Sequence, residues 1–193
     1  MSGIIAQNTL DGSGLIKSPE GGGAWNFISK TTASGDATID ITSGIDSTYK
    51  TYVITLNNIH PEGDNRNFRF NLSEDGGSNY NVTKTSTSFV AYHSEGGAGG
   101  TVGYDTGYDL AQGTGVQPLL NEQGADNDQC CAIRIYLFDP SNTTYVKHFL
   151  CESMAVTYHN YFRHMFIGGY ANTTSAVDAI QFSFSADNID AGD

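Results

Sequence analysis

Apolar and polar residues alternate with a period of two in short runs along most of this chain. The clearest are FRFNL at residues 68–72, AIRIYLF at 132–138 and IQFSF at 180–184. Alternation sends successive side chains to opposite faces of a strand, so one face meets a core and the other meets water or a neighbour. Runs rich in Val, Ile, Thr, Tyr and Phe, bounded by Gly, Asn, Asp and Pro, predict strands at residues 24–30, 37–42, 52–59, 67–73, 89–93, 131–139, 144–151, 163–170 and 179–185. Eight or nine strands without a convincing helix predict an all-β fold. Two packed antiparallel sheets follow, a β-sandwich formed as a single domain over residues 25–193. Pro61, Pro118 and Pro140 fall in inferred loops, where a missing N–H costs a ladder nothing. Residues 158–164 are the one stretch that suggests a turn of helix.

Two segments break the pattern. Residues 1–24 hold the apolar pairs Ile4/Ile5 and Leu15/Ile16 among Gln, Asn, Asp, Ser and Gly, and end in PEGGG. With no sustained period, such a segment cannot bury its own apolar side chains. It reads as an extended N-terminal attachment arm that gains order against another subunit, with Ile4, Ile5, Leu15 and Ile16 as partner-binding anchors. A terminus with no packing role is the competing reading. Residues 95–115 carry eight glycines in 21 positions, with Tyr104 and Tyr108 embedded. A loop this long is uncommon in a compact domain unless it binds something or is disordered. It is expected to be an insertion at the distal or lateral surface, with Tyr104 and Tyr108 as candidate ligand contacts.

Charge and cysteine usage narrow the classes. Twenty-one acidic residues against nine basic ones give a net charge of −12. That charge repels a polyphosphate backbone unless the cations are tightly grouped, and they are not, so nucleic-acid binding is not expected. The 23 glycines and 16% charged residues indicate many tight turns and little charged helix. The N-terminus lacks a basic n-region and an apolar h-region, and no run approaches the roughly 18 apolar residues of a membrane helix. Synthesis in the cytoplasm without membrane insertion is the expectation. Cys130, Cys131 and Cys151 are odd in number, and the first two are neighbours pointing to opposite faces, so buried free thiols are expected rather than a disulfide framework.

The IQFSF strand at 180–184 leads into Asp187, Asn188, Ile189, Asp190, Ala191 and Gly192. Upstream, YVITLNNIHP at 52–61 leads through FRFNLS at 68–73 to DGGSNY at 75–80. Both stretches resemble the small all-β virion structural proteins of tailed, often marine, bacteriophages. In that family a strand runs into an Asn-Ile-x-x-Gly turn, and a strand, Pro loop and strand lead to a Ser-x-Asp-Gly-Gly-Ser-x-Tyr hairpin. The resemblance spans residues 36–190. The family usually continues into one further strand beyond this turn, and the sequence here runs to Asp193. The opening MSGII, with SGLI about ten residues on, is similar to the leaders of phage fibre and appendage proteins. The resemblance implies a jelly-roll-like sandwich and a homotrimeric appendage, tail-fibre-like or capsid-decorating, joined to other capsid or tail proteins through its leader. It implies location in the virion.

Motifs of strong chemistry are few. No Gly-x-Ser-x-Gly, P-loop, His-Glu-x-x-His or paired Cys-x-x-Cys occurs, so no catalytic residue, cofactor or metal is assigned and an enzyme is not expected. His159 and His164, with His148 on a neighbouring predicted strand, raise a metal site that needs three or four converging ligands. Positions 159 and 164 face opposite sides of a strand, which favours surface histidines. Asp126 and Asp128 near Glu122 offer oxygens, but too few for calcium, and residues 73–78 read as a hairpin turn with Asp-Gly supplying positive φ. Exposed tyrosines, Tyr104/Tyr108 or Tyr158/Tyr161, can stack on sugar rings or line a subunit interface. The alternative to a virion protein is therefore a carbohydrate-binding module, and a host-surface glycan is a candidate partner under either reading.

Overall fold

The computed structural model describes residues 25–193. Twelve strands make two antiparallel sheets. They are β1 (Ile39–Ile41), β2 (Thr51–Pro61), β3 (Arg66–Ser73), β4 (Lys84–Ser94), β5 (Gly100–Tyr104), β6 (Leu110–Gly113), β7 (Gln117–Gln123), β8 (Cys131–Phe138), β9 (Lys147–Val156), β10 (Tyr161–Ala171), β11 (Ala179–Phe184) and β12 (Ile189–Ala191). The smaller sheet has the order β1-β11-β3-β7. The larger runs β12-β2-β8-β9-β10-β4, and β5 and β6 follow one another along the outer edge of β4. The chain crosses repeatedly between sheets: β1, β3, β7 and β11 lie in one, and the strands between them lie in the other. This is a jelly-roll sandwich, with the meander β8-β9-β10 filling one strand place and the interrupted pair β5/β6 filling another.

The core is set by the predicted alternation. Phe68, Phe70 and Leu72 on β3 and Ile180, Phe182 and Phe184 on β11 point inward and are almost fully buried. Facing them from the larger sheet are Ile133, Ile135 and Leu137, Phe149 and Cys151, and Met165 and Ile167. The rings of Phe70 and Phe149 meet edge-on across the sandwich at 5.4 Å. Burying each such side chain contributes about 1.5–3 kcal/mol, so the two inner faces hold the sheets together.

Several expectations need correction. The expected strand at 24–30 does not pair: residues 25–30 run without a ladder partner, and Phe27 is 83% exposed. Residues 95–115 are not one loop. Thr101 and Val102 pair with Tyr92 and Ala91 of β4, and Leu110 pairs with Ser86, so β5 and β6 lie within the glycine-rich stretch. Glycine weakens a strand without forbidding it. Pro118 lies inside β7 rather than in a loop, opposite Arg69 beside a shift of register. It is tolerated because β7 is an edge strand. Pro61 closes β2. Residues 158–164 give a tight turn and the start of β10, not helix. The expected Asn-Ile-x-x-Gly turn contains β12, which pairs with the end of β2. The 73–78 turn does not join a hairpin, because β3 and β4 belong to different sheets. Gly76 and Gly77 do adopt φ of 71° and 85°, and the Ser73 hydroxyl and Asp75 carboxylate take the N–H groups of Gly77 and Asn79. Hydrogen bonds to Asp75, led by the one from the Asn79 side chain, hold its carboxyl below the ordinary range.

Candidate functional site

The outward positions of the larger sheet are the least ordinary surface of the molecule. Register places Arg134, Glu152, Phe166, Phe89 and Tyr104 in one row across β8, β9, β10, β4 and β5. The row beside it is Ala132, Met154, His164, Ala91 and Val102. Leu150 and Phe162 extend the patch on either side. Phe166 is 44% exposed, and Phe89, Tyr104, Leu150, Met154 and Phe162 are similarly open. Phe89 and Tyr104 meet edge-on at 5.5 Å, and His164 lies 4.2 Å from Phe166, centroid to centroid. Single exposed apolar residues need no explanation, but a contiguous patch marks a contact surface.

Charge sharpens the point. The outward positions of β8, β9, β10, β4 and β5 hold one formal cation, Arg134, and one carboxylate, Glu152. Glu152 accepts from His164 at 3.0 Å when that imidazole carries its proton on Nε2. On a chain of net charge −12 this face is close to neutral. Five strands about 4.8 Å apart, with outward positions about 6.8 Å apart, span on the order of 700–800 Å². That is close to the roughly 800 Å² per partner of a standard interface. A shallow apolar depression of about 160 Å³ indents one end of the face, lined by Asn58, Cys130, Met154, Val156 and Phe162 among others.

The expected contact tyrosines separate. Tyr104 belongs to the outer face, and its hydroxyl donates to Asp109 at 2.5 Å. Tyr108 turns inward, half-buried against the core, and burial raises its phenol pKa. Tyr158 packs at a tilt against His159 at 3.8 Å and Tyr161 packs edge-on against Tyr92, so these two also serve local packing. Ile4, Ile5, Leu15 and Ile16 lie outside the described residues.

The remaining candidates resolve into local structure. Among the described residues no group of three or more His, Cys, Asp or Glu side chains converges. His148 rests beside the Tyr170 ring, away from His164 along β9 and β10. Glu122 pairs with Arg163 at 2.8 Å rather than with the Asp126 turn, and the Arg163 guanidinium lies over the Tyr92 ring at 5.6 Å. Cys131 and Cys151 are buried thiols whose pKa values are pushed up by burial, while Cys130 is half-exposed and not part of the core.

Two buried lysines stand where the sequence suggested none. Lys84 donates to the Asn71 side chain and to the Val82 carbonyl, and burial lowers its pKa to about 8. Lys147 donates to the carbonyls of Tyr145 and Thr173.

Sequence reasoning missed Phe89, Leu150, Met154, Phe162 and Phe166 as surface residues. The signal was present in HFLCESMAV and YFRHMFIGG, where both phases of the alternation are apolar. No helix among the described residues is long and apolar enough to cross a membrane. No family model matches the chain, and neither a curated protein nor a solved structure matches it.

Proposed function

We propose that this chain is a non-enzymatic virion structural protein of a tailed bacteriophage, a homotrimeric appendage of tail-fibre or capsid-decorating type. The apolar outer face of the larger sheet carries the reading. A near-neutral aromatic face on a strongly acidic chain is the surface on which identical copies approach with least repulsion. The sequence resemblance to phage virion proteins supplies the setting, and residues 1–24 supply the attachment segment. The glycan-binding alternative is weaker on this face, because Phe89 and Tyr104 meet edge-on and do not form the flat platform that sugar stacking uses.

Light scattering of the full chain at micromolar concentration tests the trimer, and a monomer counts directly against it. Immunodetection in purified particles of the encoding phage tests location. Removing residues 2–23 is expected to leave a folded domain that no longer joins the particle, and normal incorporation of that variant refutes the attachment role.

A further inference from the structure

We propose that the open edge of β5 pairs with β5 of a second copy of this chain, in an antiparallel two-fold contact centred on Val102. This goes beyond the trimer reading, since the contact runs through the free backbone groups along the edge of β5, while the Val102 and Tyr104 side chains stand on the outer face that reading uses.

The phase of the ladder fixes which groups are free. The Asp105 N–H donates to the Ser88 carbonyl at 2.9 Å, and the Gly99 carbonyl accepts from Ser94. In an antiparallel pair, alternate residues turn their N–H and C=O to the same neighbour. Gly99, Thr101, Gly103 and Asp105 therefore bond toward β4, and Gly100, Val102 and Tyr104 present their N–H and C=O groups to the open side. Among the described residues no strand lies there, and all five residues of β5 are exposed, Val102 at 77%.

Edges are normally guarded by charge, proline, a bulge or brevity. Here β1 and β12 are three residues long, β7 carries Pro118 and register shifts, and β6 is broken by a shift and by Gln112 at φ of 53°. By contrast β5 has no charged residue and no proline, and its register with β4 is unbroken.

The edge is complementary to itself. Two antiparallel copies bring Val102 opposite Val102 and Gly100 opposite the second copy's Tyr104. All three outward residues then form hydrogen-bonded pairs, each exchanging two bonds. The Tyr104 ring falls across from a glycine, which leaves room for it, and a cross-strand aromatic over glycine is a stabilising arrangement. No formal charge lies on either paired strand, so the contact avoids the repulsion between chains of net charge −12 and tightens as salt screens the rest.

The test uses the full chain with Cys130→Ser to remove the half-exposed thiol. Paired Val102 Cα atoms fall about 5.5 Å apart, inside the roughly 4.4–6.8 Å range of disulfides. Val102→Cys is expected to give a disulfide-linked dimer under mild oxidation, at least tenfold faster than Thr101→Cys, whose copies sit too far apart. Val102→Lys is expected to halve the assembly mass by native mass spectrometry. Equal cross-linking of the two cysteine variants, or an unchanged mass for Val102→Lys, overturns the proposal. A wild-type trimer unaffected by either change removes the edge contact and leaves the trimer reading standing. A wild-type dimer that becomes a monomer with Val102→Lys and cross-links selectively through Val102→Cys does the reverse, since the lysine also charges the outer face and only the cross-link reports the edge. Protection of the Val102 and Tyr104 amides from hydrogen exchange in the wild type, with no cross-link in Val102→Cys, means that another extended segment occupies the edge, and overturns the proposal as well.

Discussion

The two sheets of this sandwich differ in what they turn to the outside. The smaller sheet presents Asp40, Gln181, Arg69 and Ser183, which satisfy one another. Gln181 donates to Asp40 at 2.8 Å and Arg69 to Ser183 at 3.1 Å. The larger sheet presents Phe89, Leu150, Met154, Phe162 and Phe166, each 39–48% exposed. Both sheets obey the same inside-outside alternation, and both inner faces are apolar. Only the smaller one completes the pattern with a polar exterior. A sheet that is apolar on both faces is built to be covered on both, and within one copy the larger sheet is covered on one.

The largest test of this contrast is between inner and outer aromatics. Phe182 is fully buried with its ring parallel to Phe68 at 5.9 Å. Phe182→Ala is expected to cost about 3–5 kcal/mol in denaturant unfolding. A loss below about 1 kcal/mol breaks the assignment of the inner faces.

Lys84 is the exception inside. Burial lowers its folded pKa to about 8 from an unfolded 10.5. Between those values the unfolded chain binds the extra proton, so this lysine makes stability rise with pH across the window from about 8 to 10.5. The full effect is at most about 3 kcal/mol. The buried thiols of Cys131 and Cys151 act oppositely above about pH 9, because their raised pKa values keep them protonated in the fold while the unfolded chain loses those protons. Comparison with Lys84→Met cancels that shared contribution. Wild type is expected to gain about 2–3 kcal/mol on the variant between about pH 7.5 and 10 in urea unfolding. A constant difference means that the ammonium is not desolvated.

On the outer face, Phe166→Ser separates folding from assembly. Monomer stability is expected to stay within about 1 kcal/mol of wild type, since the ring is already half in water. Self-association is expected to weaken by about 2 kcal/mol, roughly thirtyfold, as for a central interface aromatic. Unchanged association by sedimentation removes this face as the contact.

The sequence revealed the inner faces and left the outer ones obscure, for a physical reason. Alternation identifies which positions share a face, and where the outward set is polar, as in FRFNL and IQFSF, it also says which face is buried. In KHFLCESMAV both sets are apolar, so the pattern marks a strand without choosing its inside. β7 escaped notice because QPLLNEQ has a proline and no clean period, and β5 because glycine reads as loop. Both are edge strands, where one side of the ladder is free and sequence demands are weak. The separation of Tyr104 from Tyr108 was not legible for a related reason. It depends on residues 105–109 leaving the edge of β4 between β5 and β6, which a spacing of four cannot show. The lysines at 84 and 147 were invisible as core residues because their partners, Asn71, Val82, Tyr145 and Thr173, supply only neutral oxygens rather than a carboxylate that would flag a pair.

The smallest expected effect lies on the polar exterior of the smaller sheet. Arg69 is half-buried, bonded through Nε to the Ser183 hydroxyl on the neighbouring β11. That bond exchanges for water when the protein unfolds, so Arg69→Ala is expected to cost about 0.5–1.5 kcal/mol. It is expected to leave self-association unchanged, because the side chain sits on the sheet that completes its own surface. A stability loss without an assembly defect keeps the two exteriors distinct. If Arg69→Ala weakens association as much as Phe166→Ser does, the smaller sheet is an interface too, and apolar exposure no longer distinguishes the contact side of this molecule.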